Sequence, residues 1–255
     1  MIPQSTHPPS NDSREQHGGY CDQGVAHNVW TFSRPFMLGM VPMGGRSTAI
    51  KLESGGVWVL ASTELNDETK QKLDELGDVK YIVAGNNAHH FFIKQYKAAY
   101  PNAKVVGSED LLSKPESQGI KLDAVFSTAT PNPLCGFEKE IETCYFTGYA
   151  NKDIACYHKA SKTVMAADLL FNNPPTEQFS KSPQSPKSML FASMTPTGWQ
   201  MRLLLRAKTQ DRAAMRRDAA KVHSWDFDRF IPCHGDVIEA GARAAWRSAF
   251  TNYLS

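Results

Sequence analysis

Between Val79 and Val106 the hydrophobic pattern changes period twice, and that change limits the folds open to this chain. Val79-Lys-Tyr-Ile-Val-Ala84 is an apolar run of strand length, closed by the polar stretch Gly85-Asn86-Asn87-Ala88. His89, His90 and Phe91 then open a segment in which Phe92, Tyr96 and Tyr100 recur at helical spacing. Pro101-Asn102 ends that helix, and Lys104-Val-Val106 starts another strand. Strand, loop, helix and strand make a βαβ unit, which requires a sheet with helices packed against it.

The flanking segments extend the same reading. His27 to Phe32 and Ser47 to Leu52 alternate like strands, and Val57-Trp-Val-Leu60 follows the turn Ser54-Gly55-Gly56, which predicts a hairpin. Asn66 suits a helix N-cap, Leu73 and Leu76 share a face, and Gly77 suits the stop. Further strands are expected at Ile141 to Phe146, Ile154 to Tyr157 and Thr163 to Ala166, the last running into Asp168-Leu-Leu-Phe171. Helices are expected over about 200–207, 211–222 and 240–253, with a short strand at Phe230-Ile-Pro232 running straight into Cys233-His-Gly-Asp236. Residues 1–19 are rich in Pro, Ser, Asn and Gly and read as a flexible arm, so 20–255 is expected to form one domain. The Pro/Ser-rich stretch 172–198 is long enough to be a lid-like insertion or binding loop.

Composition excludes several functions. The 28 basic and 26 acidic residues leave a formal charge of +2, which does not fit a dedicated nucleic-acid binder. No apolar run approaches the roughly 20 residues that cross a bilayer, and the N-terminus has no apolar signal core, so no membrane partner is expected. Five cysteines, odd in number and widely spaced, argue against a disulfide framework and fit a cytoplasmic protein. The expected partner is a small-molecule substrate.

Polar, metal-competent side chains stand just past the end of an apolar strand in three places: His89-His90, Asp168, and His234-Gly235-Asp236. Sheets fix groups at strand ends while the following loops leave space around them. Imidazole and carboxylate together suit zinc, iron or manganese, and a catalytic ion takes about three protein ligands. Gly44-Gly45-Arg46 is a glycine turn without phosphate-loop spacing, and the Arg/Lys-rich helical segments after residue 200 read as solvated faces.

These markers, with Tyr100-Pro-Asn-Ala-Lys104, Trp225-Asp-Phe-Asp228 and Ile231-Pro-Cys-His-Gly-Asp236, resemble the metallo-β-lactamase-like hydrolase superfamily, and within it a fungal branch with a degenerate metal site. The resemblance implies an αββα sandwich, two mixed β-sheets flanked by helices. Laid on the superfamily pattern H-x-H-x-D-H, the chain has Gly85 and Asn87 at the first two histidines, His89 at the Asp and His90 at the last histidine. Tyr149 falls where a further family histidine belongs. By resemblance, one half of a two-metal centre is lost. The other half maps to His89, His90, Asp168 and His234, which could hold one divalent ion or none. Asp236 would orient His234. With an ion, the implied reaction is hydrolysis of an ester, lactone or thioester, with Asp168 and His90 catalytic and Tyr149 donating to the oxyanion. Without one, the same groups would serve an isomerase, dehydratase or cyclase of fungal secondary metabolism, or the fold would act as a non-catalytic binding protein.

Overall fold

A computed structural model describes residues 21–114 and 117–255. The expected arm, with His7 and His17, lies outside the described residues. Thirteen strands and six α-helices are described. The strands are β1 (Cys21–Ala26), β2 (Val29–Arg34), β3 (Met37–Leu38), β4 (Val41–Pro42), β5 (Gly45–Lys51), β6 (Val57–Leu60), β7 (Val79–Val83), β8 (Lys104–Ser108), β9 (Ala124–Phe126), β10 (Ile141–Tyr145), β11 (Ile154–His158), β12 (Thr163–Ala166) and β13 (Arg229–Pro232). The helices are α1 (Asp67–Leu76), α2 (Ile93–Ala99), α3 (Trp199–Lys208), α4 (Arg212–Ser224), α5 (Ala242–Ala249) and α6 (Thr251–Leu254).

Seven strands form one sheet in the order β1-β2-β5-β6-β7-β8-β9, and four form a second in the order β10-β11-β12-β13. Both are mixed. In the first, β1, β2, β5 and β6 pair antiparallel, while β6, β7, β8 and β9 run parallel. In the second, only β12 and β13 are parallel, in register from Thr163↔Arg229 to Ala166↔Pro232. Three buried apolar layers define the sandwich. Val29, Ile50, Trp58, Leu60 and Phe126 of the first sheet meet Ile141, Ile154, Met165 and Ile231 of the second. On the outer face of the first sheet, Val59 and Ile82 pack against Leu73 and Tyr96 of α1 and α2. On the outer face of the second, Val164 and Phe230 pack against Leu205, Met215 and Trp246 of α3, α4 and α5. Alternation along each strand sends one set of side chains inward and the other to a helix layer, giving helix, sheet, sheet and helix.

Local chemistry explains the boundaries. Asn66 Oδ1 accepts from the Thr69 N–H at 2.8 Å and starts α1, and Gly77, at φ 134°, stops it. Asp211 caps α4 in the same way. Two elements differ from expectation. The helix after β7 begins at Ile93, not at His89, and the expected C-terminal helix breaks at Phe250 into α5 and α6. His89 and His90 therefore lie in a loop between strand and helix. The Asn86 side chain accepts from the N–H groups of Ala88 and His89 at 2.7 and 2.9 Å, a turn that competes with helical bonding over those residues.

Candidate metal centre

Three loops at one edge of the sandwich bring His89, Asp168 and His234 together. His89 follows β7, Asp168 follows β12, and His234 follows β13. One donor atom from each lies within 4.8 Å of the others. His89 Nε2 is 3.3 Å from Asp168 Oδ1, and His234 Nε2 is 3.5 Å from the same oxygen. Because β12 and β13 are parallel neighbours, Asp168 and His234 leave the sheet side by side, each two residues beyond the pair Ala166↔Pro232.

The far side of each group is held. His234 Nδ1 donates to Gly44 O at 2.7 Å, which turns Nε2 toward the cluster. Asp168 Oδ2 accepts from Asn86 Nδ2 at 2.7 Å and Asn151 Nδ2 at 2.8 Å, so Oδ1 alone faces the imidazoles. Beneath them Asp153, fully buried, accepts from the Asp168 N–H at 2.7 Å and from Asn86 Nδ2 at 2.7 Å. Burial and the Asp168 charge lift the Asp153 carboxyl to about 7. Burial also acts to raise Asp168, but the two imidazoles outweigh it and hold that carboxyl well below the usual range. Burial works against the charged form of His89, yet the Asp168 carboxylate and the neighbouring Cys233 raise its pKa well above the ordinary histidine value.

Several expectations are corrected. His90 does not join the cluster. It is buried with its ring stacked on Phe91 at 4.6 Å, and the loop turn presents its neighbour His89 instead. Adjacent residues point in different directions, so one of the pair had to be lost to the site. Tyr149 is fully buried, and its hydroxyl donates to the backbone carbonyl of Asp168 at 3.1 Å, a support from below instead of an oxyanion donor. Asp236 does not orient His234. Its carboxylate accepts from the Glu177 N–H at 2.8 Å and from the Thr176 hydroxyl, binding residues 176–177 to the corner. Gln178 does the same, donating to Cys233 O at 2.8 Å and accepting from the Gly235 N–H at 2.9 Å. The start of the 172–198 stretch is therefore stitched to the His234 corner.

Gly235 gives a sharp test of that corner. It sits at φ +93°, and a Cβ there would come within 2.7 Å of the Asn172 backbone nitrogen and closer still to its carbonyl. Gly235→Ala is expected to cost about 1–3 kcal/mol from strain and overpacking. Urea denaturation measures it, and an unchanged midpoint would show the corner to be pliable.

A family described as "Domain of unknown function (DUF4336)" matches residues 26–210. The chain belongs to the DUF4336 family. The match takes in His89 and Asp168 and ends before His234. No curated protein matches this DUF4336 chain. Among solved structures, it is similar to a metallo-beta-lactamase from Pontibacter korlensis, at 12% identity and TM-score 0.56, covering 92% of this chain and 100% of that one. It is similar to FIM-1 from Pseudomonas aeruginosa, a metallo-beta-lactamase solved in its mono-zinc form, at 10% identity and TM-score 0.57, covering 92% and 97%. It is also similar to the metal-soaked Flv1 flavodiiron core from Synechocystis sp. PCC6803, at 12% identity and TM-score 0.62, covering 92% and 60%. What these proteins share with the DUF4336 chain is the fold, a metallo-β-lactamase-like sandwich. Among its described residues, no helix is long and apolar enough to cross a membrane. An open cleft of about 680 Å³ lies at the opposite end of β7 and β8, lined by Lys70, Tyr81, Tyr100 and Lys104, away from the converging donors.

Proposed function

We propose that this chain is a hydrolase that takes one divalent ion, zinc, iron or manganese, at His89, Asp168 and His234, and cleaves an ester, lactone or thioester of a small organic molecule. The observation that carries this reading is the convergence of three donor atoms within 4.8 Å, with His234 and Asp168 oriented from behind by Gly44, Asn86 and Asn151. Two imidazoles and a carboxylate suit an ion that keeps a position open. When bound, such an ion supplies Lewis acidity toward a carbonyl and lowers the pKa of a water from about 15.7 toward 7. The chain's own groups do the rest. Asp168 keeps a fixed negative charge, and the Gly44 carbonyl holds the His234 ring with Nε2 turned toward the other two donors. Phe36, 6.4 Å from His234 and 41% exposed, presents an apolar wall that suits an apolar portion of the substrate.

Room for a single ion also favours this reading. A Cβ on Gly85 would sit 3.0 Å from Ala167 Cβ and 3.3 Å from Leu60 Cδ1, so a larger side chain there would have to push those neighbours back by a few tenths of an ångström. Asn87 is occupied, accepting from the Ser108 hydroxyl and donating to Asp110, each at 2.6 Å. With Tyr149 turned to Asp168 O, these supports leave a degenerate, one-ion site. Metal analysis of protein purified without chelator is expected to find about one equivalent, and less than about one-tenth would overturn the reading.

Binding should depend on pH with a definite sign. An ion must expel the proton that Asp168 holds on His89, so affinity rises by about tenfold per pH unit until pH passes the raised value of His89, and levels off above it. Without metal the stability signs are opposite for the two partners. The His89 contribution is full below about 6.5 and is lost as pH rises through its raised value; that of Asp168 is present above about 3.9 and is lost as pH falls through its lowered value. Zinc titrations in metal buffers check the first statement, and a flat profile would refute it. A metal-independent acid–base reaction is the second reading, favoured by the same pairing of a proton-bearing His89 with Asp168.

A further inference from the structure

We infer that Asn86 is a positioning residue that sets the distance between His89 and Asp168, acting on both at once though it is not itself a ligand. Its amide is used in full. Nδ2 donates to Asp168 Oδ2 and to Asp153 Oδ2, each at 2.7 Å, and Oδ1 accepts from the Ala88 and His89 N–H groups at 2.7 and 2.9 Å. Asn86 is fully buried, so none of these bonds competes with water. One planar group thereby links the loop that carries His89 to the strand end that carries Asp168, 82 residues away in sequence.

The chemistry needs an amide here. A carboxylamide is the smallest side chain that offers donors to two carboxylates while accepting from two backbone groups. Aspartate would face Asp153 and Asp168 with a third acceptor. Leucine fills the space and makes none of the bonds. Serine keeps an acceptor for the loop turn but is too short to span both carboxylates. Asn151, by contrast, reaches Asp168 alone, at 2.8 Å.

The metal readout rests on the proposed function; the geometric readout does not. Cobalt and zinc titrations of Asn86→Leu and Asn86→Ser, with crystal structures of both proteins without metal, make the test. Loss of a group that orients ligands from behind weakens metal binding by about 10–100-fold. The expected result is a loss of that size for Asn86→Leu, a smaller one for Asn86→Ser, and a changed cobalt absorption band in both. A role in stability alone would lower the melting temperature and leave affinity and spectrum of the folded protein unmoved. The structures should show His89 Nε2 and Asp168 Oδ1 drawn apart from their 3.3 Å separation. If the parent protein binds neither metal, the proposed function fails, and the structures still decide the role of Asn86. Unchanged separation in the Leu and Ser variants would overturn it, as would affinities within about threefold of a metal-binding parent. Should Asn86→Leu not fold, Asn86→Ser carries the decision.

Discussion

Asp168→Asn is expected to abolish metal binding while leaving the fold in place. Asp168 Oδ1 is the one oxygen that faces both His89 and His234, so its charge is what either imidazole shares with an ion. The loss should exceed the about 10–100-fold that follows removal of an outer partner, since here a ligand itself is lost. An asparagine has the same shape. Its oxygen can still accept from Asn86 and Asn151, and its amide can donate toward the histidines. Two effects on stability then oppose each other. The ion pair with His89 disappears, and so does the like-charge contact that lifts Asp153. Isothermal titration with zinc, paired with urea denaturation, separates metal loss from unfolding. Retained zinc affinity in a folded variant would exclude Asp168 as a ligand.

The second large effect concerns Arg46, which is fully buried and ties three parts of the chain together. Its guanidinium donates to Pro232 O at 2.9 Å, Gly235 O at 2.6 Å and Ser33 Oγ at 3.0 Å, and it pairs with Glu177 at 2.5 Å. Glu177 is 30% exposed, and burial raises its pKa even beside Arg46, so the ion pair is the weaker part of this anchor. The bonds to the corner carbonyls matter more, since nothing in a buried site would replace them. Arg46→Met is expected to cost about 3–5 kcal/mol, the range for breaking a buried charged network, which for a chain of this size lowers the melting temperature by roughly 10 °C. Glu177→Gln keeps an acceptor for Arg46 but gives up the one for the Val237 N–H, and should cost about 1–2 kcal/mol, less than Arg46→Met. Calorimetry on both variants checks the ranking, and a reversed order would place the anchoring in the ion pair.

The layers were legible where periodicity is strong. The βαβ order from Val79 to Val106, apart from the later start of its helix, and the Asn66 cap and Gly77 stop appear as expected, because each depends on residues near in sequence. Strands β1, β3, β4 and β9 were not foreseen. They are short or poor in apolar residues and owe their form to pairing with neighbours far along the chain. At the site, strand-end position pointed to Asp168, His234 and the His89-His90 pair. Which of the two histidines faces inward depends on the Asn86 turn, and no spacing rule shows that. Asp153 and Arg46 gave no signal either. A lone Asp before a strand and an Arg after two glycines are ordinary turn residues until burial turns them into supports.

The parallel pairing of β12 with β13 has a further consequence. Asp168 and His234 each emerge two residues beyond a registered pair, so their separation follows the interstrand repeat of about 4.8 Å. That spacing is a ruler made of peptide bonds, indifferent to what the surrounding loops contain. Segments around it could be lengthened, shortened or exchanged with those of another protein, and two of the three donors would keep their distance. Only His89, carried on a loop of its own, would have to be tuned again.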